Sequence, residues 1–144
     1  MKSKKIGKYV WTIENLSIGE GEEGVYRNPE ATPGEGLLYT WDAAMRLCPN
    51  GWHLPTNEEW DDWEWNTSPK QREAFAGVLA GFRYTVGTFS TRGMLTFFWT
   101  AGDAGASAWY RSLNSCYAPV YRDSSDKAFG FSVRCVKDIE SDGE

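Results

Sequence analysis

The chain of 144 residues is 41% hydrophobic, carries a formal net charge of -5 and holds eight Trp, seven Tyr and seven Phe. That size and aromatic content suit a single domain with a substantial core and exclude a disordered chain. The acidic balance argues against nucleic acid as a partner, which needs a basic stripe, and no apolar run approaches the ~20 residues of a membrane span.

The basic start, MKSKKIGK, is followed by YVWTIEN, too short and polar for the apolar core of a signal peptide, so none is expected. Residues Ile6 to Ile13 alternate as one strand with Tyr9, Trp11 and Ile13 on the same side. Ser17 to Gly36, rich in Gly, Glu and Pro, predicts an irregular loop. After a short extended piece, Leu37 to Tyr39, Thr40 is positioned to cap a helix over WDAAMRLC that Pro49-Asn50-Gly51 stops.

A second helix is predicted from Thr56, with Glu59 three residues later completing a capping box. Trp60 and Trp63 share its core face, and Ser68-Pro69 marks its end. Gln71 to Leu79 reads as either a short helix or an irregular connection. From Phe82 on the texture is that of strands: FRYTVGTF, LTFFWTA, AWYRSL, a segment around Tyr117 to Arg122, and GFSVRCVK. In the last of these Phe131, Val133 and Cys135 point one way and Ser132, Arg134 and Val136 the other. The pattern is α+β, one domain over residues 1–137 with an acidic mobile tail over 138–144.

The composition changes in the last third. Glu, Lys, Gln, Met and Trp supply 26 of residues 1–99 but only Trp109 and Lys127 among the 37 residues 100–136. Every other residue there is encodable by a codon ending in a pyrimidine. A triplet that begins as AAY and is altered at its adenines reaches this set and cannot reach the five depleted residues. Short strands and tight turns also favour small polar residues, so composition alone leaves both origins open.

The words along this scaffold, KIGKYVWTIENL, LYTWDAAMRLCPNGWHLPTNEEW, LAGFRYTVGTF, FFWTAGD, AWYRSLN and GFSVRCVKD, resemble the Fibrobacter succinogenes major paralogous domain over nearly the whole chain. That family is related to formylglycine-generating enzymes and is similar to C-type lectin-like folds. The resemblance implies two helices packed on a small, mostly antiparallel twisted sheet with long irregular loops. Members also occur as variable proteins of diversity-generating retroelements, in which an adenine-specific error-prone reverse transcriptase rewrites the 3′ end of the gene.

By that resemblance the altered, ligand-binding positions are Ser112, Cys116, Tyr117, Pro119, Tyr121, Asp123, Ser124, Ser125, Asp126, Ala128 and Phe129. Trp109, Arg111, Val120, Arg122 and Phe131 are expected to hold the frame, with Trp109 and Phe131 as buried aromatics. The ligand is unknown, a protein or other cell-surface molecule, and the protein belongs on a phage particle or bacterial surface. The alternative is a fixed structural or adhesive domain of a bacterial surface protein. Independently of the family, Tyr and Ser suit binding surfaces, which makes Tyr110, Tyr117, Tyr121 and Phe129 candidate anchors. Asp123 and Asp126 bias such a surface toward cationic partners.

Cys48 and Cys135 occupy positions that lectin-like folds often join; in a reducing cytosol they are instead buried thiols. Cys116 is the odd cysteine and reads as an accident of diversification. The related enzymes use two active-site cysteines close together, whereas Cys116 and Cys135 stand apart without that pattern, so no enzymatic activity is expected. His53 is the single histidine, expected to be hydrogen-bonded in a core or hinge, and no metal or cofactor is expected. The acidic run Glu58, Glu59, Asp61, Asp62 and Glu64 reads as a solvated helix face. The calcium-site triplets of sugar-binding C-type lectins, EPN or QPD with WND, do not occur.

Overall fold

The computed structural model describes residues 2–115 and 119–139 and is mixed α+β, with three helices and several small antiparallel sheets among the described residues. No helix among them is long and apolar enough to cross a membrane.

The N-terminal segment is a hairpin rather than one strand. β1 (Ser3–Ile6) and β2 (Tyr9–Thr12) pair antiparallel around Gly7, whose φ of 61° favours glycine. The turn is fastened from outside, because the Lys8 amide donates to the Asp62 carboxylate at 3.0 Å. Of the three residues expected on one side, Trp11 is fully buried while Ile13 is 36% exposed. The last strand, β10 (Val136–Asp138), pairs with the other edge of β2, giving the order β1-β2-β10.

The loop after β2 is irregular apart from β3 (Val25–Tyr26), which pairs with β4 (Leu38–Tyr39). It is held down by one buried carboxylate. Glu35 accepts from the Thr32 amide and hydroxyl, both at 2.7 Å, and from Arg92 Nε and Nη2 at 2.9 and 2.6 Å. The Arg92 hydrogen bonds are the main reason its pKa falls to about 2, against the opposing effect of burial. A depressed carboxylate stabilises the fold above its unfolded pKa, and that contribution disappears as pH falls through the folded value. The shift corresponds to about 3 kcal/mol. Glu35→Gln is therefore expected to cost about 2 to 3 kcal/mol at pH 7 and to flatten the loss of stability between pH ~4.5 and 2, read by urea unfolding across that range.

α1 (Trp41–Leu47) starts at Thr40, whose hydroxyl accepts from the Ala43 amide. α2 (Asn57–Trp65) has the expected reciprocal cap: the Glu59 amide donates to Thr56 Oγ1 at 3.1 Å, and the Thr56 amide to Glu59 Oε1 at 2.8 Å. α2 ends at Asn66, and Ser68-Pro69 does not merely follow it. Ser68 caps a third helix, α3 (Pro69–Ala76), by a second capping box with Gln71, and Pro69 takes the first helical position, where its missing N–H costs nothing.

FRYTVGTF is also a hairpin, β5 (Phe82–Arg83) with β6 (Phe89–Ser90). The main sheet follows as β7 (Leu95–Ala104), β8 (Ser107–Asn114) and β9 (Tyr121–Asp126), antiparallel in that order. The middle of β7 is covered on both faces, which explains why Phe97, Phe98 and Trp99 are consecutive and apolar. Trp99 joins a first core with Tyr39, Leu37, Phe131, Val133 and Cys135. Its neighbour Phe98 points into a second core with Trp11, Trp60, Trp63, Phe75, Leu113 and Val136.

GFSVRCVK forms isolated bridges before settling into β10, yet its alternation holds. Phe131, Val133 and Cys135 enter the first core, and Arg134 and Val136 face the second, with the Arg134 guanidinium 4.3 Å from the Phe75 ring centroid. Cys48, just past α1, is disulfide-bonded to Cys135 with a Cα–Cα distance of 5.9 Å. β10 runs to Asp138, one residue into the segment assigned to the tail; residues 140–144 lie outside the described residues.

Candidate binding face

β9 is the outer strand of its sheet, and period-two alternation divides its side chains between two faces. The register sets Tyr121 opposite Ser112, Asp123 opposite Tyr110 and Ser125 opposite Ala108. On the other face Arg122 lies opposite Arg111 and Ser124 opposite Trp109. Tyr121, Asp123 and the half-buried Ser125 thus share the face of Tyr110 and Ala108, with Tyr121 and Asp123 exposed, while the expected frame residues Arg111 and Arg122 turn toward α2 together with the side of the sheet that holds Ser124.

The outward face holds an apolar cleft of about 450 Å3 lined by Leu95, Phe97, Tyr110, Ser112, Asn114, Pro119 and Tyr121. Tyr121 is 61% exposed at its rim. Tyr110 packs edge-on to Phe97 and Phe131, and burial, followed by the charges of Asp123 and Tyr121, raises its phenol above the ordinary value. Tyr110 thus stays neutral at physiological pH.

At the far end of β9, Asp126 and Ala128 line a wider cleft of about 900 Å3 whose other walls include Glu22, Glu23, Tyr26, Asp42 and Arg46. Its cations are engaged: Arg46 pairs with Glu22 at 3.2 Å, and Lys127 with Asp103 at 2.8 Å while lying over the Trp41 ring. Carboxylates consequently dominate what this cleft presents.

Not every expected binding position is free. Ser112 lines the cleft but is itself only 5% exposed. Phe129 is half-buried and stacks on Phe82 with ring centroids 5.7 Å apart. Asp123 accepts from the next amide, Ser124, within β9, and Asp126 accepts from the Ala128 amide at the turn that follows the strand. Cys116 and Tyr117 lie outside the described residues.

The frame needs correction as well. Phe131 is a buried hub touching Phe82, Phe97, Trp99, Tyr110 and Phe129. Trp109 is not a core aromatic: it is 37% exposed. β8 runs past the start of α2, where Arg111 reaches Asn57, and Trp109 lies two residues farther along without a helix to cover it. Val120 packs at the edge of the second core, and the Arg122 side chain is 62% exposed.

A set of contacts between α2 and the sheet escaped the sequence reading. The buried Arg111 donates to Asn57 Oδ1 at 3.0 Å and to Asp61 Oδ1 at 2.9 Å, and Arg122 reaches the same Asp61 oxygen at 3.1 Å. Burial lowers the Arg111 pKa, and Asp61 works against that. The acidic run on α2 is accordingly not a uniform solvated face. Glu59 is buried and holds both the cap and His53 Nε2 at 2.9 Å, Asp61 pins β8 and β9, and Asp62 fastens the N-terminal turn. His53 is hydrogen-bonded as expected but sits at the surface rather than in a core. Among the described residues no group of three His, Cys, Asp or Glu side chains could hold a metal ion.

The chain matches no family model, no curated protein and no solved structure.

Proposed function

We propose that this protein is a non-catalytic ligand-binding domain of C-type lectin-like fold, akin to the Fibrobacter succinogenes major paralogous domain, whose diversified surface is β9 with the clefts at its two ends. The observation that carries this reading is the separation along β9. Tyr121 and Asp123, drawn from the restricted alphabet, are exposed, while Arg111 on the opposite face and Phe131, packed on Tyr110, are locked in place. Such an arrangement lets the exposed side chains change without disturbing the fold.

The chemistry of the face suits a protein or other cell-surface molecule. An apolar side chain of the ligand would fill the cleft beneath Tyr121, and Asp123 would meet a cationic group next to it. A surface location, on a phage or bacterium, follows from the family resemblance, as does the absence of a cofactor. One observation favours the alternative of a fixed structural or adhesive domain. Asp126 makes a local turn hydrogen bond with the Ala128 amide, and this is the chemistry that selects small polar residues without any diversification.

Panning a displayed peptide library on the protein tests the binding face. Tyr121→Ala/Asp123→Ala is expected to weaken enriched clones at least ten-fold while leaving stability within about 1 kcal/mol, because both side chains are exposed. Clones that bind this variant as well as the parent would place the ligand elsewhere.

A further inference from the structure

A cavity of about 330 Å3 lies between the β1–β2 hairpin and α3, and none of its lining residues belongs to the proposed binding face. Ile6, Ile13, Ala74 and the buried Phe75 form its apolar walls. Of the two lysines at its rim, Lys4 shares the hairpin face of Ile6 and Trp11 and brings one ammonium group, while Lys5 alternates to the other face; no carboxylate is among the lining residues. Asp62, which closes on Gly7 at its edge, is occupied by the Lys8 amide and by Asn66 Nδ2 at 3.3 Å. In a chain of net charge -5, this lining reverses the sign locally.

A second, independent observation lies across the Phe75 ring. The Arg134 guanidinium sits 4.3 Å from that ring's centroid and 5.1 Å from the centroid of Phe98, and the residue is only 2% exposed. Its Nε donates to the neutral Asn15 Oδ1 at 2.7 Å, and Nη1 has no hydrogen-bond partner among the described residues. The carboxylate that acts on it, Glu14, lines a different cavity. The buried guanidinium is thus held by ring faces and a neutral dipole, and Phe75, against which it packs, also lines the cavity.

We propose that this pocket binds a small organic carboxylate with an apolar tail, the tail against Phe75, Ile6 and Ile13 and the carboxylate at Lys4. Its size falls in the usual range of ~300 to 1,000 Å3 for small-molecule sites, mostly apolar with a few convergent polar groups. About 150 Å3 of apolar cavity is already enough for benzene. The apolar groups line a concavity rather than projecting outward, which favours a free small molecule over a membrane surface.

Octanoate titrated into the full chain and followed by amide chemical shifts tests the site, with 1-octanol and acetate as matched probes. Saturable one-to-one octanoate binding is expected, with the largest shifts at Ile6, Ile13, Asn66 and Phe75 and each matched probe at least ten-fold weaker. Lys4→Glu should weaken octanoate at least ten-fold, whereas Lys5→Glu, on the opposite face of the hairpin, should leave it within about two-fold. Ala74→Trp, at an exposed position of α3, should fill the cavity and abolish binding. Octanol binding as tightly as octanoate on the unaltered protein would overturn the proposal without recourse to any variant. So would octanoate binding that survives Ala74→Trp.

Discussion

Reduction of the Cys48–Cys135 disulfide is expected to lower the free energy of unfolding by about 4 to 5 kcal/mol. The bond spans 87 residues of sequence, from the end of α1 to the segment that threads between the two cores, and so closes most of the chain into a loop. Chain entropy makes the unfolded state the main point of action: without the link it expands, and the folded state must overcome that gain. Against the ~5 to 15 kcal/mol typical of a domain, this is a large share. Urea unfolding with and without reductant checks it, and the urea dependence should steepen on reduction as the unfolded chain exposes more surface. Coincident midpoints would mean that the bond contributes nothing to the fold.

Phe131→Ala is expected to cost about 3 to 5 kcal/mol, the usual range for a buried aromatic. Its ring, 2% exposed, is the meeting point of five others, and its backbone bridges Tyr39 across to β4. The neighbouring rings cannot all close on the space left by one. Trp109→Ala, although it removes a larger side chain, should cost only about 1 to 2 kcal/mol because much of that indole already faces water. Equilibrium unfolding of the two variants gives the ranking. Equal losses would show that the sheet end at Trp109 is covered after all.

The contrast between those two residues also shows what a sequence can and cannot reveal. Local signals were legible: Thr56 with Glu59 forms its capping box, Trp60 and Trp63 share the buried face of α2, and the alternation through Phe131, Val133 and Cys135 survives in the folded chain. Ser68-Pro69 carries two messages, the end of one helix and the start of the next, and of the two readings open for Gln71 to Leu79 the short helix holds, starting two residues earlier at Pro69. Trp109 misled because alternation gives its face but not how far the covering helix extends. Asp61 could not be paired with Arg111 and Arg122 from spacing, since those contacts join residues 50 and 61 positions apart. Within the candidate site the restricted alphabet is legible in the sequence, whereas the exposure of Tyr121, the burial of Ser112 and the stacking of Phe129 depend on tertiary neighbours.

Sequencing the gene and its flanks across a natural population tests the diversified face most directly. The expected result is a near-repeat of the 3′ end that differs only where its template has adenine. Substitutions should concentrate at Tyr121, Asp123, Ser124, Ser125, Asp126 and Ala128, be restricted in size at Ser112 and Phe129, and be absent at Arg111 and Phe131. An invariant stretch with no such repeat would contradict the account and leave turn chemistry in a fixed domain as the source of the restricted alphabet.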